Sequence, residues 1–74
     1  MVVHIPVSFE YKGKVYNGHF SELHGAATWH LMIDNYYCGQ LIYSPNFGFK
    51  FYSNSKRFEE LSEHFAEIIM LWYE

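Results

Sequence analysis

The chain has 74 residues, of which 50% are hydrophobic, 22% aromatic and 18% charged, with a formal charge of −3. That is one domain, residues 1–74, with one small core. It is too apolar for a disordered tail and too interrupted by charge and glycine for a membrane span. Its five basic residues, Lys12, Lys14, Lys50, Lys56 and Arg57, are spread along the chain with no run longer than two. Nucleic acid and anionic membrane surfaces are therefore not expected partners, because both are held mainly by clustered Lys and Arg. The opening stretch carries no basic segment, long apolar run or small-residue cleavage site, and the single cysteine, Cys38, permits no internal disulfide. A cytoplasmic location follows as the expectation.

In chain order, Val3, Ile5, Val7, Phe9 and Tyr11 alternate with His4, Pro6, Ser8 and Glu10. Period-2 alternation marks a strand with one buried and one wet face, and Pro6, which has no N–H, places it at an edge or at a bulge. Lys12-Gly13 is a two-residue turn into a second strand running from Lys14 to about Leu23. Paired residue numbers then sum to 25, so Phe9 faces Tyr16 and Ile5 faces Phe20. Gly18 reads as a bulge or a close-packing position.

A short loop, His24 to Ala27, leads to a third strand containing Trp29, Leu31 and Ile33. Asp34-Asn35 makes the next turn, Gly39 to Tyr43 the fourth strand, and Ser44-Pro45-Asn46 a type I turn. Phe47, Phe49 and Phe51 alternate through a fifth strand. The inward pair of the fourth strand is left open between Gln40/Ile42 and Leu41/Tyr43, with a bulge at Gly39 as the feature that decides it. Ser53-Asn54-Ser55 offers N-cap chemistry for a C-terminal helix. Its apolar positions Phe58, Leu61, Phe65, Ile68, Ile69 and Trp72 form one stripe, opposite Glu59, Glu60, Glu63 and Glu67. The fold class is α+β: a twisted antiparallel meander of about five strands with the helix on one face. Its variant is a partly closed barrel, since Val15, Met32, Ile42 and Tyr52 on the outer face would also gain from cover.

Catalytic chemistry has little to stand on. There is no Gly-x-Ser-x-Gly elbow and no glycine-rich phosphate loop, and the only aspartate, Asp34, is explained by its turn. The chain reads as a non-enzyme with no cofactor. His4, His19 and His30 fall on the less apolar side of their strands, and three converging imidazoles would hold zinc. No His-x-His or paired-Cys spacing supports that, so a small ligand- or metal-binding module, built on these histidines or on the tyrosines, stands as the alternative. On the helix, Glu60, His64 and Glu67 share a face without the spacing of a di-iron motif.

The favoured reading is a non-catalytic protein-interaction domain, a homodimer or a binder of another protein. Tyr36, Tyr37 and Tyr52, with Tyr43 and Phe47, are expected to gather around the turns that end the third to fifth strands. Met70 and Leu71 fall outside the core stripe of the helix, and the closing run Ile68-Ile69-Met70-Leu71-Trp72-Tyr73 is apolar nearly all round. A helix of that kind is usually buried all round. Met70, Leu71, Tyr73, Tyr36, Tyr37 and Tyr52 are therefore the candidate contact residues.

Overall fold

The computed structural model describes residues 2–23 and 25–74; His24, the first residue of the expected loop, lies outside them. Five strands follow one another: β1 (Val2–Tyr11), β2 (Lys14–Leu23), β3 (Thr28–Ile33), β4 (Tyr36–Ser44) and β5 (Gly48–Tyr52). A 3-10 turn (Glu59–Leu61) then leads into α1 (Ser62–Trp72). The sheet order is β1-β2-β3-β4-β5, every neighbouring pair antiparallel. Because β1 and β5 do not pair, the sheet is open, and the barrel variant is ruled out.

The β1–β2 register matches the expected one at every pair, Phe9 against Tyr16 and Ile5 against Phe20 included. Lys12 and Gly13 both have positive φ, 50° and 80°, as a two-residue hairpin turn of right-handed twist requires. Counting from Tyr11–Lys14, alternation makes Pro6–His19 a pair whose backbone polar groups point away from each other. The missing N–H of Pro6 thus falls on the free edge of β1, where it costs no ladder bond and blunts the edge.

The bulge lies between β3 and β4, where Leu31 faces Gly39 and Met32 faces Tyr37, leaving Cys38 as the extra residue. It turns Leu41, fully buried, and Tyr43 toward the helix. Gly39 is required at that point: a Cβ there would stand 2.6 Å from the Phe51 ring and 2.5 Å from the Tyr52 carbonyl oxygen. Gly18 is a close-packing glycine for the same reason, with the Met32 carbonyl oxygen 2.1 Å from where its Cβ would be.

The helix starts later than the cap chemistry suggests. Lys56 and Phe58 take left-handed φ values of 61° and 71°, which no helix accommodates. The serines of that segment bond locally: Ser53 Oγ donates to the Arg57 carbonyl (2.9 Å), and the Arg57 N–H donates to Ser55 Oγ (3.4 Å). Phe58 is nonetheless buried, its ring edge-on to Phe9, Tyr11 and Tyr16 at 5.1, 4.8 and 5.2 Å. Phe65 and Ile69 carry the helical stripe into the core beside Ile5, Phe20, Leu31, Leu41 and Phe51. Trp72, expected in that stripe, stays about half exposed.

Truncating Phe9 to Ala removes a ring that touches Tyr16, Phe58 and Phe65. It is expected to cost about 3–5 kcal/mol in urea unfolding. A loss under about 1 kcal/mol, the range of ordinary surface substitutions, would contradict this packing.

Candidate functional site

One short helix does not cover one long sheet. The 11 residues of α1 span about 16 Å at 1.5 Å per residue, whereas the nine residues of β4 span roughly 30 Å. Where the helix stops, the helix-facing side of the sheet continues. The result is a shallow, open groove of about 340 Å³ walled by Trp29, Tyr43 and Phe49 from the sheet and by Ile69, Met70 and Tyr73 from the helix end. The Phe49 ring lies 5.6 Å from Trp29 and 5.0 Å from Tyr43, tilted against both. Met70, Tyr43 and Tyr73 are each about half exposed, and Phe47, at the β4–β5 turn beyond them, is 80% exposed.

Behind the groove lies the only buried acidic residue among the described ones, Glu22. Alternation along β2 puts it on the helix side, between Val3 on β1 and Trp29 on β3. The Tyr73 hydroxyl donates a hydrogen bond to Glu22 Oε1. Burial, and then that bond and the carboxylate's charge, raise the Tyr73 phenol above its ordinary pKa near 10, while the neighbouring Trp29 indole pulls it partway back. Among the described residues, the buried Trp29 Nε1 itself has no partner within hydrogen-bonding geometry. The bond between Tyr73 and Glu22 therefore closes one end of the groove, fixing the chain just past the helix against the sheet. Glu22 was absent from the candidates above, although the register that pairs Val3 with position 22 already carried the signal.

The other candidates scatter. Antiparallel β4 sends its two turns to opposite ends, so Tyr36 and Tyr37 lie at the far end from Tyr43 and Phe47, and the expected gathering forms only in part, Tyr37 and Tyr52 sharing a cleft of about 140 Å³ with Gly39 and Gln40. Tyr36 and Tyr37 instead line a separate cleft with Cys38, Asn54, Ser55, Arg57 and Phe58. The Arg57 guanidinium is already engaged there, donating to Tyr16 Oη (2.8 Å) and stacked on Phe58 at 4.7 Å. Cys38 is half buried, its thiol 3.6 Å from the Tyr36 carbonyl. Tyr52 stands on the outer face with Lys50 over its ring. Leu71 is exposed and is not among the groove walls. One 100° helical step separates it from Met70.

The histidines lie on the outer face as a row rather than a cage. His4 and His19 meet edge-to-face at 5.2 Å, but Ser21 stands between His4 and His30 in the strand register, and His30 turns to Tyr37 at 5.6 Å. Among the described residues no three His, Cys, Asp or Glu side chains are placed to hold a metal ion. His4 Nδ1 lies 3.1 Å from Ser21 Oγ, within reach of a base–nucleophile contact. That pair sits on the open sheet face, and no carboxylate among the described residues orients the ring. Nor, among them, is any helix long and apolar enough to cross a membrane. Comparisons with protein-family models, curated proteins and solved structures returned no match to this chain.

Replacing Tyr73 with Phe keeps the groove wall and removes the bond to Glu22, with an expected loss of about 1 kcal/mol in stability. Because the folded state raises the phenol's pKa, that contribution is full below pH 10 and disappears as pH rises through the folded-state value. The difference between wild type and variant should therefore shrink to nothing in strong alkali. A difference that persists there would contradict the bond.

Proposed function

We propose that the chain is a non-catalytic interaction domain that pairs with a second copy of itself through the groove at the helix end. The observation that carries this is an apolar groove flanked by protruding apolar side chains on the same small surface. A two-fold interface is built from one patch meeting itself, so it needs both shapes side by side. Counting about 200 Å² for a large side chain, the exposed parts of Tyr43, Phe47, Met70 and Tyr73, at the groove and the turn beside it, amount to roughly 460 Å². That is a little over half of the ~800 Å² each partner buries in an interface of standard size, the area of a weak contact that dissociates on dilution.

The sheet edges favour a face contact over strand addition. Pro6 blunts β1, and the outward N–H groups of Phe51 on β5 and of Ser53 just after it are already taken by Ser62 Oγ (3.0 Å) and Glu59 Oε2 (3.2 Å). The groove walls are also free of charge. On the helix, Glu63 and Glu67 lie seven and three residues before Met70 and so share its side, although neither is among the groove walls.

Sedimentation of the wild-type protein at tens of micromolar is expected to show a dimer that dissociates on dilution. Met70→Lys, which places a charge on the groove wall at an exposed position, should give a folded monomer. A monomeric wild type, or a Met70→Lys protein of unchanged mass, would defeat this reading.

A further inference from the structure

We propose that Phe47 is the side chain that fills the groove, each copy inserting its Phe47 ring among Trp29, Tyr43, Phe49 and Met70 of the other; this rests on the self-association reading above. Phe47 is the most exposed large hydrophobic residue in the described structure, at 80%. It is also the one residue of its turn without a conformational reason to be there. Pro45 presets the φ of the second turn position, and Asn46 suits the third, its N–H donating to Ser44 Oγ at 3.3 Å. Gly48 supplies a φ of 75°. Phe47 closes the turn only through its backbone, its N–H donating to the Ser44 carbonyl at 3.2 Å, a position that polar residues fill equally well.

Its placement suits an intermolecular role. Phe51, Phe49 and Phe47 follow one another at two-residue spacing, the period of one sheet face, and run from fully buried through half-buried to exposed. The Tyr43–Phe49 pair adjoins the turn on one side and walls the groove on the other. Knob and hollow are thus neighbours on one patch. Under a two-fold axis, moving the knob of one copy into the hollow of the next brings the reciprocal pair together in the same step, so the contact is made twice. A rigid aromatic ring in a desolvated apolar pocket is also the usual form of a dominant interface residue. Tyr73, held by Glu22, keeps the hollow open to receive it.

The test uses the wild-type chain. In a mixed dimer of isotope-labelled and unlabelled protein, filtered NMR is expected to show intermolecular contacts from the Phe47 ring to the Met70 methyl group and the Trp29 ring. In parallel, Phe47→Ala should raise the dimer dissociation constant about tenfold or more while the far-ultraviolet spectrum stays that of a folded chain, since the ring makes no core contact. A dimer whose intermolecular contacts omit Phe47, or one equally tight in Phe47→Ala, would overturn this inference and leave the self-association reading standing. A wild type that remains monomeric would overturn both.

Discussion

The Phe65 ring is the contact on which the rest of the molecule depends. It meets Phe9 of β1, Phe20 of β2 and Phe51 of β5 at 5.1, 5.3 and 5.0 Å, each inclined by more than 60°. The two outer strands of an open sheet share no hydrogen bond, so only what lies across the sheet ties them together. Phe65 does this for β1 and β5, and Phe58, edge-on to Phe9, Tyr11 and Tyr16, repeats it at the first hairpin. In a domain too small for a second layer of core, such aromatic edge-to-face contacts supply both area and geometry. They also set where the helix stands, and so where it stops.

From that docking follows the exposed end of the sheet. A helix fixed by Phe65 over the middle of the strands, and ending at Trp72, reaches Trp29 and Glu22 but leaves Tyr43 and Phe49 only half covered. The bond between Tyr73 and Glu22 then holds the chain beyond the helix at the groove's margin. The same carboxylate would be a liability against an apolar core without that partner. Fold and candidate site are thus two consequences of one length mismatch.

How much of this was legible in the residues varies with the physics involved. The β1–β2 hairpin was fully readable, because five apolar residues at strict period 2 and a Lys12-Gly13 turn leave one register that keeps Phe9, Ile5 and Phe20 on one face. The same register, carried to its end, places Glu22 inside. The β3–β4 pairing was not readable, since the bulge at Cys38 depends on how closely Phe51 approaches Gly39, a contact between strands rather than along one. The helix start was misread because Ser53 and Ser55 have cap chemistry, whereas the chain spends them on a turn that lets Phe58 reach the core. The tyrosines misled for a topological reason: neighbours in sequence at the two ends of β4 are about as far apart as the sheet allows.

The claim that the uncovered end of the helix-facing side, rather than the histidine-bearing outer face, is the surface this protein uses can be tested on the unmodified chain. NMR line broadening by a soluble paramagnetic probe, followed over a dilution series, reports which side chains are shielded when molecules associate. The Tyr43, Phe47 and Phe49 rings and the Met70 methyl are expected to be shielded at high concentration and to become accessible on dilution, while Val15, His4 and Tyr52 stay accessible throughout. Shielding of the outer-face residues instead, or accessibility of the groove that does not change with concentration, would contradict it.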